Sequence, residues 1–183
     1  MGGRTWSGNT LSKCRVCRTE FVKRSISHKA CKPDCAVILG EREKANKIRK
    51  DIRVQREKLK TRQDWLKEAQ TAFNAYIRER DRDWPCISCG RWHEGQWHAG
   101  HYRSVGAAAE LRFDENNVHK QCAPCNNHKS GNIVEYRINL VKRIGAKAVE
   151  DLETLKPPTK YTIEDIKRIK AEYKQKLKDL GGL

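Results

Sequence analysis

The stretch QCAPCNNHK, residues 121–129, places a Cys-x2-Cys pair, Cys122 and Cys125, directly before two asparagines, a histidine and a lysine. An earlier pair, Cys86 and Cys89, lies in the segment PCISCG. A Cys-x2-Cys turn directs two thiolates at one point, and two such turns complete the tetrahedral shell that zinc prefers. The segment bracketed by the two pairs is therefore predicted to fold around a closed zinc site.

A second set of four cysteines lies near the start of the chain, namely Cys14, Cys17, Cys31 and Cys35. The residues between its two pairs include Lys23 and Arg24, which are candidates for contacts with phosphate. This module is either a structural knuckle that organises the N-terminus or a basic finger that grips a nucleic-acid backbone.

Eight cysteines could instead pair as disulfides. Residues 1–11 contain no hydrophobic secretory segment, so we expect the reducing environment of the cytoplasm, where disulfides are rare. The cysteines are therefore predicted to hold two structural zinc ions.

The composition indicates a partner with many negative charges. The net charge is +16, charged residues make up 34% of the 183 residues and hydrophobic residues 37%. Neutralising phosphates releases counterions and gives affinity for nucleic acid without regard to sequence. No stretch approaches the roughly 20 apolar residues of a membrane span, so we expect no membrane partner. The alternative is a basic protein whose charge serves only solubility.

The pattern along the chain predicts a mostly helical α+β protein in five segments. They are a disordered N-terminus (1–13), a zinc module (14–39), a long basic helical arm (40–83), a zinc-stabilised core (84–145) and a C-terminal helical region (146–183). The core is predicted to start at Trp84-Pro85, because the residue before a proline is pushed out of helical geometry. In the C-terminal region, Thr162 with Asp165 predicts the start of a last helix.

The predicted arm carries a seven-residue line of apolar side chains, Ile52, Leu59, Leu66 and Phe73. Such a repeat favours a coiled coil or packing against another helix. The alternative is a single helix surrounded by solvent. We predict that the line pairs with a second copy of the chain and gives a homodimer joined at least partly through residues 48–76.

The segment between the second set of cysteines holds His98 and His101, then Asn117 five residues before Cys122, and Asn126 directly follows Cys125. This order resembles the H-N-H pattern of the ββα-metal nucleases. The resemblance falls on His101, Asn117 and Asn126 and implies a small ββα-metal core.

The chemistry of phosphodiester hydrolysis explains these residue types. A base must activate water, and a neutral imidazole accepts a proton near pH 7, which is the role assigned to His101. A cation must stabilise charge on the phosphate, and an amide oxygen is a suitable ligand for Mg²⁺ or Mn²⁺, which is the role assigned to Asn126. Asn117 is assigned a supporting role on the loop between strand and helix.

A wider resemblance extends from Cys14 through LKTRQDWLKEAQTAFNAYIRERD, PCISCG, HAGHYRS and ELRF to QCAPCNNHKSGNIVEYRINLVKRIG. Over these segments the chain resembles the NinG/Rap family of lambdoid phage recombination proteins. The resemblance implies a structure-specific endonuclease that cuts D-loops and Holliday junctions, with other phage recombination proteins as possible partners. The order of cysteines, histidine and asparagine is also similar to the phage endonuclease VII family.

One position departs from the H-N-H pattern. Many enzymes of this class carry a second metal ligand just before the general base, and here that position is Gly100. His98 could replace it if the strand bends at Gly100, whereas on a regular strand His98 and His101 point to opposite faces. Arg103 and Arg112 are candidates for clamping the scissile phosphate, and Lys129 for contacting DNA.

These observations together predict a metal-dependent endonuclease for branched DNA with two structural zinc ions. The rival hypothesis is a zinc protein without catalytic activity that binds nucleic acid and acts as an adaptor in phage recombination.

Overall fold

A computed structural model describes residues 10–154, 157 and 160–181. It confirms a mostly helical α+β protein with two small sheets. The chain divides into two compact units, one ending at Lys60 and the other beginning at Thr61.

The N-terminal unit contains a short hairpin and one long helix. Strand β1 (Leu11–Lys13) pairs antiparallel with β2 (Glu20–Val22), and helix α1 spans Pro33–Leu59. The expectation of disorder over 1–13 is wrong for Leu11–Lys13, because backbone hydrogen bonds to β2 order them; residues 1–9 lie outside the described part. Helix α1 starts within the segment assigned to the zinc module, since Pro33 suits the first turn of a helix.

The single helix expected over 40–83 is interrupted at Lys60. Lys60 is extended, with φ −63° and ψ 127°, and helix α2 then begins and spans Arg62–Arg80. Thr61 restarts the helix through a capping box: its side chain accepts from Asp64 N, and the Asp64 side chain accepts from Thr61 N. These bonds satisfy amide donors that have no partner in the first turn of a helix, so the break is built into the local sequence.

The C-terminal unit contains an antiparallel hairpin and four helices. Strand β3 (Trp97–His101) pairs with β4 (Val118–Cys122). Around them lie α2 and three further helices, α3 (Ile133–Ile144), α4 (Ala146–Glu153) and α5 (Ile163–Asp179).

Hydrophobic side chains pack on both faces of this hairpin. On one face Val118 joins Phe73 of α2 and Tyr173 of α5, and the Phe73 and Tyr173 rings meet edge to face with centroids 4.6 Å apart. On the other, α3 supplies Tyr136, whose hydroxyl donates to the Gly100 carbonyl oxygen at 2.9 Å. The hairpin is therefore the middle layer of the unit.

This packing divides the seven-residue line. Leu66 and Phe73 are buried in the core with α5, whereas Ile52 and Leu59 are exposed on α1. The line is therefore not a continuous surface for a partner, because α5 of the same chain covers its second half.

The predicted start of the last helix is confirmed. Thr162 and Asp165 form a capping box at the beginning of α5, and Gly145 follows the last residue of α3. Within the described ranges, none of the helices is both long and apolar enough to cross a membrane.

A buried carboxylate joins three elements of the C-terminal unit. Asp81, 1% exposed, follows α2 and accepts from Arg80 at 2.8 and 3.0 Å, from Arg143 of α3 at 2.8 Å and from the amide of Lys120 in β4 at 2.9 Å. Burial by itself raises the pKa of Asp81, but the charges of Arg80 and Arg143 and the Lys120 amide hold that pKa below its ordinary value. The carboxylate therefore stays ionised and links α2, β4 and α3.

Replacing this carboxylate should destabilise the unit strongly. Asp81→Ala removes the carboxylate that pairs with two largely buried guanidinium groups, so we expect the free energy of unfolding to fall by about 3–5 kcal/mol. Asp83 is an exposed neighbour and gives a matched control, because Asp83→Ala should change the free energy of unfolding by no more than about 0.5 kcal/mol. Urea unfolding of both variants measures the difference, and equal effects would contradict the structural role of Asp81.

Candidate functional site

The second set of cysteines converges at the end of the β3–β4 hairpin. The Sγ atoms of Cys86, Cys89, Cys122 and Cys125 all lie within 4.8 Å of one another. A tetrahedral site with Zn–S bonds of about 2.3 Å requires sulfur atoms about 3.8 Å apart. The Sγ atoms of Cys89 and Cys122 are 3.9 Å apart, which fits zinc.

Backbone hydrogen bonds shape the turn that presents Cys86 and Cys89. Gly90 N donates to the Cys86 carbonyl oxygen at 2.9 Å, and Cys86 N donates to that of Arg91 at 3.0 Å. Gly90 has φ +65°, a conformation that glycine adopts without the steric cost of a Cβ. The amide of Cys122 donates to Cys86 Sγ at 3.4 Å, as expected for a sulfur that carries negative charge.

The first set of cysteines forms a similar cluster in the N-terminal unit. The Sγ atom of Cys17 lies 3.4 Å from that of Cys31 and 3.8 Å from that of Cys35, and the latter two are 3.9 Å apart. All eight cysteines are described and none forms a disulfide. Both clusters could therefore hold zinc, in closed shells that leave no position open for a substrate.

Two zinc ions per chain are expected. Cys86→Ser should leave one zinc and lower the stability of the C-terminal unit, because metal affinity in such sites contributes to the free energy of folding. Cys14→Ser is the matched variant for the other cluster and should also leave one. Atomic emission on purified protein measures the content, and a wild-type value of one or none would contradict the two-site assignment.

An open cleft of about 580 Å³ lies beside the second cluster. His101 and Arg103 line it from the end of β3, and Asn126 lines it from the turn after Cys125. Ser104 and Ser130 add hydroxyl groups. The cleft thus brings together a histidine, an amide and a guanidinium group from two parts of the sequence.

His101 is the last residue of β3 and is partly buried. Its Nε2 lies 3.1 Å from the carbonyl oxygen of Arg112. A carbonyl only accepts, so the contact requires the proton on Nε2 and leaves Nδ1 with a free lone pair. Burial lowers the pKa of His101, with the nearby charge of Arg112 acting in the same direction, which favours a neutral imidazole at neutral pH.

Asn117 is fully buried and fastens the loop that follows His101. Its Oδ1 accepts from Arg103 N at 2.8 Å, while its Nδ2 donates to the carbonyl oxygens of Arg103 at 3.0 Å and Leu111 at 3.1 Å. Its backbone carbonyl also accepts from Tyr102 N at 2.8 Å. These bonds tie the start of the loop, and Leu111 within it, to the residue that directly precedes β4.

Asn126 lies in a π-helical turn, Pro124–His128, that carries Cys125. Its Nδ2 donates to Asn127 Oδ1 at 3.0 Å. Throughout the described part of the chain no donor reaches Asn126 Oδ1. The amide oxygen of Asn126 is therefore available to a ligand in the cleft.

The position of His98 is decided by the register of the hairpin. His98 pairs with Gln121 and His101 with Val118, with no bulge between them at Gly100. Successive side chains of a regular strand point to opposite faces, so His98 and His101 lie on opposite faces. His98 does not line the cleft, and its buried Nε2 has no hydrogen-bond partner.

The remaining candidates for DNA contacts lie outside the cleft. The guanidinium group of Arg112 donates to Gln70 of α2 at 3.3 Å, and Lys129 is exposed next to the π-helical turn. Lys23 is partly buried and Arg24 exposed in the N-terminal unit. Of the five residues predicted to contact DNA, Arg103 is therefore the one that lines the cleft.

The sequence patterns did not identify the residues whose hydrogen bonds connect the elements around the cleft. Glu153 of α4 accepts from Arg137 at 2.7 Å and from the hydroxyl of Tyr102, the residue after His101. Gln121, fully buried before Cys122, bonds Ser88 and Gly131. No local signal marks these residues, because their partners lie ten or more positions away in the chain.

The described residues thus define a mostly helical α+β protein with two four-cysteine clusters and an open polar cleft beside one of them. The family model described as "Bacteriophage Lambda NinG protein" matches residues 8–182. The chain therefore belongs to the NinG family of phage proteins. No solved structure matches it.

Three proteins named "Protein ninG" illustrate the similarity. That of Escherichia phage lambda is 48% identical over 182 residues, covering 90% of this chain and 89% of its own length. That of Salmonella phage P22 is 48% identical over 192 residues, covering 95% of each. That of Escherichia phage 933W is 47% identical over 186 residues, covering 92% of each.

Proposed function

We propose that this protein is a metal-dependent endonuclease of the H-N-H class that cuts branched DNA such as Holliday junctions and D-loops. The observation that carries the proposal is the placement of His101 and Asn126 on one open cleft. The first offers a basic nitrogen and the second an unengaged amide oxygen, which are the two groups that phosphodiester hydrolysis needs from the protein.

The local architecture supports this class. The two strands β3 and β4 are followed by a turn and α3, with a four-cysteine cluster at the open end of the hairpin. His101 ends the first strand, Asn117 precedes the second and Asn126 lies in the turn before the helix. This is the order of elements and residues expected of a ββα-metal core.

His101 acts as the general base in this proposal. The bond from Nε2 to the Arg112 carbonyl fixes the ring and directs the free lone pair to Nδ1. Burial keeps the imidazole neutral, so Nδ1 can remove a proton from the attacking water. Asn117 keeps the loop after His101 in place, and with it Arg103, which contacts the scissile phosphate.

Asn126 would hold the catalytic cation through Oδ1. An amide oxygen is a hard, neutral ligand that suits Mg²⁺ or Mn²⁺ and leaves most of the coordination shell to water and phosphate. The cation, when bound, stabilises the charge that grows on the phosphate and the leaving oxygen. The side chain of Asn126 fits the role, since among the described residues only its nitrogen is engaged in a hydrogen bond.

Branched DNA is proposed as the substrate on two grounds. The net charge of +16 favours a nucleic acid, and the resemblance to the NinG/Rap family implies recombination intermediates. The protein would then act at DNA in the cytoplasm of the host, with other phage recombination proteins as possible partners.

Cleavage of a synthetic four-way junction tests the proposal. With Mg²⁺ or Mn²⁺ the wild type should nick the junction, and His101→Ala should lose about 100-fold or more in rate because the general base is gone. Asn126→Ala should lose activity through the cation. His128→Ala is the matched control, because His128 is exposed in the same turn and does not line the cleft.

Zinc content and junction binding should persist in all three variants. A wild type that only shifts the junction in a gel, in every cation, would favour the rival hypothesis of a non-catalytic adaptor. A His101→Ala variant that cuts at the wild-type rate would refute the assignment of the base.

We further propose that the protein acts as a homodimer joined through α1. Four apolar side chains, Ile38, Ile48, Ile52 and Leu59, are exposed at spacings that place them on one side of this helix. A four-way junction offers two symmetric strands, and a two-fold dimer presents one active site to each.

Sedimentation velocity tests the dimer. Ile52→Asp combined with Leu59→Asp should convert it to a monomer, because buried carboxylates would lose their hydration. Val54→Asp is the control, since Val54 is also exposed on α1 but points away from the line. The dimer is refuted if the wild type is monomeric with and without a junction, or if the double variant stays dimeric.

A further inference from the structure

A second cavity, of about 270 Å³, lies where the segment that follows α2 meets the end of α3. Its lining includes three residues of that segment and three of α3, namely Trp84, Pro85, Ile87, Asn139, Lys142 and Arg143. None of these six residues lines the cleft of His101 and Asn126. The cavity is therefore a separate site within the C-terminal unit.

Trp84 is held in place although its side chain is 52% exposed. Its amide donates to the Asp81 carbonyl oxygen at 3.0 Å, and the Cζ atom of Arg143 lies 4.4 Å from the centroid of its ring. Arg143 is itself fixed, because its guanidinium group donates to the buried carboxylate of Asp81 at 2.8 Å. The cation covers one face of the indole, and the half-exposed ring offers a preformed surface on which a flat ligand can stack.

Two polar side chains of α3 add a hydrogen-bond acceptor and a charge. Asn139 Nδ2 donates to the Ser88 carbonyl oxygen at 3.0 Å, and within the described ranges no donor reaches Asn139 Oδ1. Lys142 is exposed, and its ammonium group forms no ion pair with any described residue. Among the described residues no aspartate or glutamate lines the cavity. The cavity thus combines an aromatic ring, an acceptor and a cation.

These three groups match the parts of a nucleotide. In proteins that bind single strands, bases stack on aromatic side chains, and the amino groups on the edges of bases donate to side-chain oxygens such as Asn139 Oδ1. A phosphate is attracted by a lysine such as Lys142, and no described carboxylate of the lining opposes it. The chemistry of the lining therefore favours a nucleotide over an uncharged or cationic ligand.

The size of the cavity selects an unpaired nucleotide. Its volume of about 270 Å³ lies just below the roughly 300–1,000 Å³ of pockets for drug-sized ligands, so it has room for one planar ring system. A base within a duplex is stacked between its neighbours, and extracting it costs free energy, whereas an unpaired base at a branch point is already accessible.

We propose that this cavity binds an unpaired nucleotide of branched DNA, with the base against Trp84 and the phosphate at Lys142. The inference rests on the part of the proposed function that makes DNA the partner, and not on cleavage. Ile133 lines the cleft at the start of α3, whereas Arg143 lines the cavity about 15 Å further along the helix. One strand of stacked DNA rises roughly 3.4 Å per nucleotide, so the bound nucleotide lies a few positions from the scissile phosphate.

The fluorescence of 2-aminopurine, placed at the first unpaired position of a forked duplex, tests the stacking. Mg²⁺ and Mn²⁺ are left out, so that the DNA is bound but not cut. The wild type should quench the probe, because the base stacks on the indole. Trp84→Ala should abolish the quenching and weaken binding of the forked duplex by about tenfold or more. Binding of a fully paired duplex of the same length should change by no more than about twofold, because its phosphate contacts remain.

Three further variants define the site. Trp84→Phe keeps an aromatic ring and should retain the quenching. Trp92→Ala is the matched control, because Trp92 is 62% exposed and also lies against a cation, Lys120, but does not line the cavity. It should behave as the wild type does. Lys142→Ala should lower the salt dependence of binding by about one phosphate contact, while the probe is still quenched at saturation.

Zinc content and the thermal midpoint of each variant report on folding. If Trp84→Ala does not fold, Trp84→Leu replaces it, since leucine keeps an apolar side chain beside Pro85 but offers no ring. Quenching that persists in either folded variant would refute the stacking. A cavity that instead receives a side chain of a partner protein predicts equal affinity for forked and paired DNA without quenching, and that result would also refute the proposal.

The outcomes separate this inference from the proposed function. If the wild type quenches the probe through Trp84 but cuts no junction in any cation, the nucleotide site is supported and the nuclease proposal fails. If the wild type cuts a junction and the folded Trp84 variants bind and quench as it does, only the nucleotide site fails.

Discussion

The buried carboxylate of Asp81 is the constraint on which the C-terminal unit depends. Its two oxygens serve two arginines and a strand amide, so α2, β4 and α3 meet at one residue. An ionised carboxylate that is only 1% exposed is tolerated because two guanidinium groups and a backbone amide donate hydrogen bonds to it. Arg80 extends the link with bonds to the carbonyl oxygens of Glu115 and Val118, and thereby holds the beginning of β4.

That arrangement keeps the hairpin rigid where chemistry would occur. The strand β4 is fully buried along its length, with α2 and α5 on one face and α3 on the other. In the loop between the strands, Asn117 hydrogen-bonds Arg103 and Leu111, and Glu153 accepts from the hydroxyl of Tyr102 beside His101. The cluster of four cysteines then joins the turn of Cys86 and Cys89 to the end of β4 and to the turn that carries Asn126.

The two helices of the predicted arm show how local and distant effects combine. A long run of charged residues without proline or glycine predicts one helix. The capping box of Thr61 and Asp64 divides that helix into α1 and α2, and these two residues form a local pattern that is visible in the sequence. In the sequence, the seven-residue spacing of apolar residues continues on both sides of the break, but the two halves of this line have different surroundings in the structure. Leu66 and Phe73 meet α5 from a hundred residues later in the chain, and no repeat within the arm could indicate that contact.

The sequence by itself determined the features that depend on residues a few positions apart. The spacing of the cysteines predicted two clusters, and the threonine and aspartate pair predicted the start of α5. The order of His101, Asn117 and Asn126 singled out His101 and Asn126, which line one cleft, while the catalytic roles assigned to them stay predictions. Only the tertiary structure decided that His98 faces away from His101, that Gln121 fills the space above Gly100 and that Asp81 is buried among arginines. The physical reason is that a turn or a cap forms from neighbours in the chain, whereas strand register and charge burial depend on how separate elements pack.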